Sequence, residues 1–253
     1  MKPPLGMVVA FASEARKLLG RGRWQRSEKL MTRRIRLSDG TDLIAVRAGV
    51  GLDNALIAAR WLISENVSVL INVGVAGGLY PHLKAGDLII ADAVIQLKGK
   101  TLLGPWIPDV NLVAQSRTAL NNAHIYPRCG TVVSSKVAVL SAIHKASLFE
   151  NTRSLAVDME SAAVAQAAEE AGLRFFILRA ICDPAETTVA RDLSNSLGFD
   201  GNVRPLTLFL NLTRRPYLIS DLIRMGRHYA IGSAALRHAW HILIQNRLFS
   251  SSS

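Results

Sequence analysis

The chain has 253 residues, 49% of them hydrophobic, so it can bury the core of one large domain and is not expected to be disordered. Its two cysteines, Cys129 and Cys182, are too few for a disulfide framework and lie in or beside apolar runs, as buried thiols do. No apolar run reaches the roughly 18 residues of a membrane span. Charged residues follow the short apolar run at residues 5–12 too closely for a signal peptide. We therefore expect a cytoplasmic protein.

The net charge of +11 is concentrated at the two ends of the chain. Residues 1–40 hold ten Lys and Arg against three Asp and Glu, residues 214–253 hold six Arg against Asp221 alone, and the region between them is close to neutral. This placement predicts a basic surface attracted to an anionic partner, either nucleic acid or the headgroups of a membrane leaflet. Arginines that only keep the protein in solution explain the charge equally well.

Short apolar runs alternate with helical periodicity over most of the chain. Strands are predicted at residues 7–10, 43–47, 69–73, 88–94, 131–134, 155–157 and 175–181, and helices at residues 14–19, 52–65, 141–149 and 161–171. This order predicts an α/β fold with a mostly parallel sheet flanked by helices. Asp39-Gly40 predicts a hairpin, so the sheet should be mixed. Residues 98–109, rich in Gly and Pro around Trp106, are predicted to form a long loop that could cover a pocket.

The last part of the chain differs from the rest. After a catalytic domain predicted over residues 1–213, residues 214–253 form a basic amphipathic helical extension, because apolar residues recur at spacings of three, four or seven among Arg and His over residues 217–248. One interpretation is a C-terminal helix packed on the core. The other is a helix, or two helices broken near Gly232, that lies on a membrane surface or gates an apolar substrate. Helical periodicity does not separate the two.

Candidate chemistry is found where predicted strands end. The segments are Phe11–Glu14, Ala48–Ala55, Ile71–Leu79, Ala156–Ser161 and Leu178–Asp183. Open α/β sheets usually bind ligands at the ends of their strands, so we expect the carboxylates of Glu160 and Asp183 to meet at one edge of the sheet. Glu14 is expected at the mouth of the first strand. Taken singly, each acid is also a good residue for the start of a helix.

Two glycine-rich turns follow strands. Gly49-Val50-Gly51 suggests a dinucleotide site, but such a site needs an acid at the end of the next strand, where this chain has Asn72-Val73-Gly74. A nicotinamide-dependent dehydrogenase is therefore disfavoured. The other turn contains Gly74, Gly77 and Gly78, and glycines at such places let the backbone turn sharply or approach a ligand.

Together these segments carry a family resemblance. GVAGG at residues 74–78, VDMES at 157–161 and RAICD at 179–183, after an N-terminal strand that leads to Glu14, closely resemble the family of nucleoside phosphorylases and nucleosidases. The resemblance covers about residues 6–212. It implies a nucleoside-phosphorylase-like fold with a mixed sheet, and cleavage of the bond between a purine and ribose without metal or organic cofactor. Relatives commonly self-associate, which implies a homo-oligomer.

The resemblance also implies roles for residues. Asp183 would donate a proton to the departing purine, and Glu14 would orient or deprotonate the attacking water. Glu160 would accept hydrogen bonds from the ribose hydroxyls, with Met159 packing beneath the sugar. The remaining substrate contacts, in the glycine loop and near the base, would come from Val75, Ala76, Gly77, Val139, Cys182 and Arg179. For Arg179, a purely structural ion pair is an equally good interpretation.

The chemistry explains why acids are needed. Breaking a glycosidic bond moves electrons onto the base and leaves an oxocarbenium-like sugar, so the site needs an acid at the base and negative charge near the ribose. General acid catalysis typically contributes about 10² to 10⁴ in rate. Asp183 must be protonated near neutral pH to act in this way, which requires burial or a neighbouring carboxylate to raise its pKa.

The chain departs from the family pattern at several positions. Val75 and Ala48 stand where adenosine-type nucleosidases have serines, and the arginines and serine with which phosphorylases hold phosphate have no obvious counterparts. Hydrolysis is therefore favoured, and phosphorolysis with a phosphate co-substrate stays open. The aromatic residue that stacks on the base is missing near Ala138 and Val139, which leaves the identity of the base open.

One branch of the family shares these departures. AVDMES followed by AICDPAE, the Phe199-Asp200-Gly201 segment and Arg215-Pro216 before a basic tail resemble the hopanoid-associated nucleosidases or phosphorylases, which release adenine from adenosylhopane. This implies a nucleoside with an apolar tail and peripheral contact of the basic C-terminus with the inner face of the membrane. Within the family, methylthioadenosine or adenosylhomocysteine is the alternative substrate.

A noncatalytic nucleotide-binding or nucleic-acid-binding module is the alternative from another class, suggested by the basic ends and the Gly-x-Gly turn. The sequence lacks the aromatic residues interleaved with basic ones that form a stacking platform for bases. We therefore expect no nucleic-acid partner. Salt-dependent binding of oligonucleotides without release of a base would favour this alternative.

Overall fold

The computed structural model describes residues 2–188 and 218–249. The predicted domain boundary after residue 213, the Phe199-Asp200-Gly201 segment and Arg215-Pro216 lie outside these residues. Within the two described ranges, no helix combines the length and the apolar character that crossing a bilayer requires.

The sheet is mixed, as predicted. Its strands are β1 (Leu5–Val9), β2 (Gln25–Ser27), β3 (Leu30–Arg36), β4 (Asp42–Arg47), β5 (Val69–Gly78), β6 (Leu88–Lys98), β7 (Thr101–Trp106), β8 (Arg128–Ser135), β9 (Ala156–Asp158) and β10 (Arg174–Asp183). The helices are α1 (Ala12–Leu19), α2 (Leu52–Ser64), α3 (Val110–Asn122), α4 (Ala142–Thr152), α5 (Ser161–Glu170) and α6 (Leu218–Gln245). The strand order is β10-β6-β8-β9-β5-β1-β4-β3-β2, with β7 paired to β6.

The sheet closes on itself at β5. Because β10 pairs with both β5 and β6, the strands β5, β10, β6, β8 and β9 form a closed ring. At its carboxyl end β5 pairs through Gly77 and Gly78 with β9 on one side, and through Gly77 with Asp183 of β10 on the other. The ends of these three strands are therefore adjacent, and two of the candidate acids, Glu160 and Asp183, lie at or just after the ends of β9 and β10.

Helices cover both faces of the sheet. Helices α1, α3 and α6 pack on one face, and α2 and α5 pack on the other. Helix α5 is buried along most of its length by small residues, chiefly the alanines between Ala162 and Ala168. Small side chains allow a helix to lie close to the sheet, which fixes where α5 begins and hence where Glu160 lies. The α/β fold predicted from the sequence is confirmed.

The prediction of a long loop at residues 98–109 is wrong. Gly99, with a φ of +64°, turns the chain so that β7 pairs antiparallel with β6, and Trp106 is buried in the core. A hairpin turn and a loop have the same Gly-rich composition, so composition alone did not distinguish them. Helix α3, which the sequence analysis missed, begins directly afterwards, where the carboxylate of Asp109 accepts hydrogen bonds from the backbone N–H groups of Asn111 and Leu112.

The C-terminal helix packs on the core. Leu236, Ala239, Trp240 and Leu243 are buried among residues of β1, β5 and β10, so the core-packed interpretation is confirmed for this half of the helix. The alternative of two helices broken near Gly232 is wrong, because α6 continues through this residue as one helix. A Cβ atom at Gly232 would lie 2.8 Å from the carbonyl oxygen of Ile181, so the glycine lets α6 approach the end of β10.

Replacing Gly232 with alanine should therefore destabilise the protein, by about 1–3 kcal/mol, the usual cost of forcing an extra methyl group into a packed site. Gly226→Ala is the matched control, because no atom lies within 4 Å of a Cβ at that position of the same helix. The control should gain about 0.5–1 kcal/mol from helix propensity. Urea unfolding measures both, and a Gly232→Ala variant as stable as the control would contradict the close packing.

Candidate active site

The structure brings the three predicted acids to one end of the sheet. Gly77 pairs with Val157 of β9 and with Asp183 of β10, so the strands that lead to Glu160 and to Asp183 flank the same glycine. Neighbouring strands are about 4.8 Å apart, which separates the two flanking strands by roughly 10 Å. Glu14, in the first turn of α1, reaches the same strand, because its Oε1 accepts a hydrogen bond from the backbone N–H of Val75 at 3.0 Å.

Glu14 is buried and tied to the backbone at both oxygens. Besides the bond from Val75, its Oε2 accepts a hydrogen bond from the N–H of Phe11 at 3.1 Å, which caps α1. Burial raises the pKa of Glu14, and the two backbone hydrogen bonds and the charge of Arg179 oppose that rise. Glu14 is thus both the helix-start acid and a fixed acceptor beside the glycine loop, so the two interpretations of its position are compatible.

Glu160 is the second buried acid. Its Oε1 accepts a hydrogen bond from the N–H of Gly51 at 3.0 Å. Burial and the negative charge of Asp158 raise the pKa of Glu160 to about 7, against the opposing effects of Arg179 and the Gly51 N–H. Gly51 has a φ of +109°, which side chains rarely permit. The Gly-x-Gly turn therefore aims a backbone donor at Glu160.

Arg179 lies beneath these acids in a buried polar network. Its Nε donates to Asp158 at 2.6 Å, and its Nη2 donates to Ser161 at 2.9 Å and to Asn72. A Cβ at Gly74 would lie 2.5 Å from Nη1 of Arg179 and 3.3 Å from Oε1 of Glu14. Gly74 thus leaves the space in which the guanidinium and the carboxylate approach each other. These contacts agree with the structural ion pair that the sequence analysis left open.

Asp183 has a different environment. Its Oδ2 forms an ion pair with Nζ of Lys145 at 2.6 Å, while its Oδ1 is buried and has no hydrogen-bond partner within the described residues. The side chain is 20% exposed, so it is partly accessible from outside. Burial raises the pKa of Asp183, and Lys145, followed by His228 and Arg224, opposes the rise.

Lys145 is the residue of this site that the sequence analysis missed. It lies on α4 with its side chain fully buried, and Nζ also donates to the carbonyl oxygens of Pro184 at 2.9 Å and Thr187 at 3.0 Å. Lys145 and Leu148 are the buried residues of α4. A lysine three residues before a leucine on the inward face of a predicted helix was the signal available in the sequence.

The other predicted residues surround the glycine loop. Val75 contributes its backbone N–H, the carbonyl of Ala76 accepts a hydrogen bond from the thiol of Cys182 at 3.6 Å, and Met159 is half-buried beside Glu160. Burial raises the pKa of Cys182 to about 12, so the thiol stays neutral. Val139 packs instead in a small cluster with Leu79, Val133 and Leu148.

The C-terminal helix also reaches the site. The hydroxyl groups of Tyr229 and Ser13 are 2.5 Å apart, which ties α6 to the turn before Glu14. Lys17 places its ammonium group 4.8 Å from the centre of the Tyr229 ring. His228 and Arg224, on the same helix, lower the pKa of Asp183 electrostatically. Helix α6 is therefore part of the site.

Comparison with known proteins identifies the family. The sequence model described as the Phosphorylase superfamily matches residues 4–202. The chain belongs to the phosphorylase superfamily. It is 31% identical, over 169 residues, to the 5′-methylthioadenosine/S-adenosylhomocysteine nucleosidase of Marinomonas sp. (strain MWYL1), covering 58% of this chain and 70% of that relative.

Two solved structures show the same fold. The futalosine hydrolase of Helicobacter pylori strain 26695 matches with a TM-score of 0.74 at 17% identity, covering 96% of this chain and 98% of that one. The 5′-methylthioadenosine/S-adenosylhomocysteine nucleosidase of Neisseria meningitidis, in complex with methylthio-immucillin-A, matches with a TM-score of 0.74 at 19% identity, covering 97% and 100%. The predicted family is confirmed, and with it an enzyme class that cleaves N-glycosidic bonds.

The raised pKa of Glu160 makes stability depend on pH in this superfamily member. An acid whose pKa is higher in the folded state stabilises the fold when protonated, and this contribution is lost as pH rises from about 4.5 towards 7. Glu160→Gln keeps an acceptor for Gly51 and removes the titration. The free energy of unfolding of the variant, relative to the native protein, should therefore increase between about pH 5 and about pH 8, by on the order of 1–3 kcal/mol.

Urea unfolding at the two pH values measures this difference. Glu169→Gln, an exposed change in the last turn of the same helix, serves as the control and should show no such trend. A Glu160→Gln variant whose relative stability is the same at both pH values would show that Glu160 is ionised throughout this range.

Proposed function

We propose that this enzyme hydrolyses the N-glycosidic bond of a 5′-modified adenosine and releases adenine, and that its substrate is adenosylhopane. The observation that carries the proposal is that the strands leading to Glu160 and Asp183 flank the same residue, Gly77, with Glu14 bonded two residues away at Val75. One nucleoside lying across this glycine can meet an acid at its base and carboxylates at its sugar.

The three acids suit different parts of the reaction. We infer that Glu160 accepts hydrogen bonds from the ribose hydroxyls, because it has one oxygen fixed by Gly51 and a pKa of about 7. Hydroxyl donors favour its ionised form, which then stabilises the positive charge that develops on the sugar. Glu14, held by two backbone donors, is in position to orient the attacking water.

Asp183 is assigned to the base. Its Oδ1 lacks a partner within the described residues, and a buried polar atom of this kind usually finds one. Here the protonated carboxyl group donates to a nitrogen of the purine. Protonation of that nitrogen as the bond breaks turns a poor leaving group into neutral adenine. The relative from Marinomonas, a 5′-methylthioadenosine/S-adenosylhomocysteine nucleosidase, supports an adenosine derivative as the substrate.

The first half of α6 supports an apolar 5′ group. Arg224 and His228 of this half lower the pKa of Asp183 electrostatically, which places this half beside the acid. In the same half, Ile223 is 67% exposed and Ile231 is 41% exposed. Apolar side chains exposed beside the site, together with the exposed guanidinium of Arg227, suit a substrate whose hydrocarbon part lies in or near an anionic membrane. We propose peripheral contact with the membrane through this half of the helix, in a homo-oligomeric enzyme.

A substrate comparison tests the proposal. Purified protein is given adenosylhopane in anionic liposomes, methylthioadenosine or S-adenosylhomocysteine, each with and without phosphate, and free adenine is measured. We expect release from adenosylhopane to be fastest and independent of phosphate, with the protein sedimenting with the liposomes.

Turnover of methylthioadenosine but not of adenosylhopane would overturn the substrate, and a requirement for phosphate would overturn hydrolysis. Protein that stays in the supernatant would contradict the membrane contact. Light scattering of the same protein measures its oligomeric state, and a monomer would contradict the proposed homo-oligomer.

Asp183→Asn should lower adenine release by about 10² to 10⁴, because the amide has no proton that it can transfer to the base. Thermal unfolding checks that the nearly isosteric variant still folds. Asp92→Asn, an exposed change on β6, should leave the rate unchanged. Near-normal release by Asp183→Asn would show that another group protonates the base.

A further inference from the structure

The ion pair between Lys145 and Asp183 has a consequence for catalysis. We propose that Lys145, bonded through Nζ to Oδ2 of Asp183, supplies the proton that Asp183 transfers to the departing base. The inference rests on the proposed glycosidic cleavage. Lys145 does not touch the substrate in this scheme, so it is a positioning and proton-supplying residue that acts through Asp183.

The surroundings of Nζ hold Lys145 as an ammonium ion. Among the described residues, four oxygen atoms surround it: Oδ2 of Asp183 at 2.6 Å, and the carbonyl oxygens of Asp183 at 3.4 Å, Pro184 at 2.9 Å and Thr187 at 3.0 Å. An ammonium ion has three N–H donors, whereas a neutral amine has two and would also need a donor for its lone pair. The side chain is fully buried, so it must satisfy its donors on these oxygens.

The ion pair fixes the protonation state of Asp183 before the substrate reacts. A carboxylate 2.6 Å from an ammonium ion is ionised in the resting site and has no proton to give. General acid catalysis by Asp183 therefore needs a proton source in contact with it. Within the described residues, Nζ of Lys145 is a group in direct contact that carries such a proton.

The proton moves from nitrogen to oxygen within the ion pair. An N–H bond of the Lys145 ammonium breaks and an O–H bond forms on the Asp183 carboxylate, which leaves a neutral amine. A half-turn about χ2 exchanges the two carboxyl oxygens and presents the O–H group on the other side. As the glycosidic C–N bond breaks, its electron pair passes to the base, whose nitrogen takes the proton. The attacking water, oriented by Glu14, forms the new C–O bond to the sugar and releases a proton to solvent. Asp183 is again a carboxylate, and through its partly exposed side it takes a proton from solvent and returns it to the buried Lys145.

The directions of the two pKa shifts agree with this transfer. Burial lowers the pKa of Lys145, with the charge of Asp183 opposing, and burial raises the pKa of Asp183, with Lys145 opposing. The two values move towards each other, which lowers the free energy needed to move the proton from nitrogen to oxygen.

Other charged groups face the pair. His228 and Arg224 act on Asp183 from α6, and Cys182 acts on Lys145 from the end of β10. Arg224 is half-exposed and paired with Asp221 at 2.7 Å, and burial raises the pKa of Cys182 to about 12, so this thiol does not titrate near neutral pH. Glu14 faces Cys182 and is fixed by its own backbone bonds.

Two substitutions at Lys145 test the proposal. Lys145→Met keeps most of the length of the side chain and removes the proton. Lys145→Arg keeps the positive charge, but a guanidinium does not give up its proton in proteins. Lys145→Arg should lose adenine release at neutral pH by about 10² to 10⁴. Lys145→Met should lose less, because removing the ammonium ion leaves burial to raise the pKa of Asp183 without opposition from Lys145. Lys84→Met, an exposed change, is the control and should keep the native rate.

The pH profile separates proton supply from a structural role. The native enzyme should keep its rate through neutral pH and lose it on the alkaline side, where Lys145 releases its proton. In both variants Asp183 must take its proton from solvent, so the rate should rise about tenfold for each unit by which pH falls, until the carboxyl group is protonated. A p-nitrophenyl riboside, whose phenolate leaves without a proton, should be cleaved by the variants within a few fold of the native rate.

Several results would overturn the proposal. Lys145→Arg with the native rate would show that charge alone is needed, and Lys145→Met with the native rate and pH profile would show that Lys145 has no part in the reaction. Equal loss of adenine and of p-nitrophenolate release in folded Lys145→Arg would assign a purely structural role. Failure of the native enzyme to release adenine from any adenosine derivative would instead overturn the proposed function.

Discussion

A buried chain of polar side chains crosses the centre of the sheet, and the geometry of the site depends on it. Asn72 of β5 donates to the carbonyl of Val8 in β1 at 2.9 Å and accepts from Arg179 of β10, which in turn donates to Asp158 at the end of β9. Ser134 of β8 donates to the same aspartate at 2.5 Å. Side-chain hydrogen bonds therefore join these five strands, in addition to the backbone hydrogen bonds between neighbouring strands. Loss of one member of such a buried pair typically costs about 3–5 kcal/mol.

The network also explains why the carboxylates of the site differ in character. Glu14 and Glu160 are fixed by backbone N–H groups, which neither titrate nor move far, so they are set in advance for a substrate. Arg179 lies beneath both and favours their ionised forms against burial. Asp183 is held instead by the side chain of Lys145, a partner that can change its charge. Under the proposed function, the first two carboxylates lie near the sugar and the movable proton lies near the base, as cleavage of a glycosidic bond requires.

The C-terminal helix joins these parts into one unit. Its second half is buried through Trp240 and its neighbours against β1, β5 and β10, so the catalytic sheet and the helix share one core. Its first half faces Asp183 and is bonded to Ser13 through Tyr229. The exposed first half of the helix meets the buried second half at Gly232, where the helix contacts the end of β10. A change in the exposed first half can therefore reach the acid without disturbing the core.

The sequence by itself determined the α/β fold and the family, because strand-to-helix alternation and the motifs around Gly77, Glu160 and Asp183 are local patterns. It also predicted the three candidate acids. The Asp39-Gly40 hairpin was also readable, since turn chemistry lies within a few residues. Only the tertiary structure decided which strands are neighbours, that α6 packs on the core, and that Lys145 meets Asp183 from 38 residues away along the chain. Such pairings depend on how distant segments pack. A lysine on an apolar helix face indicates a buried partner, but the sequence pattern does not identify which residue that partner is.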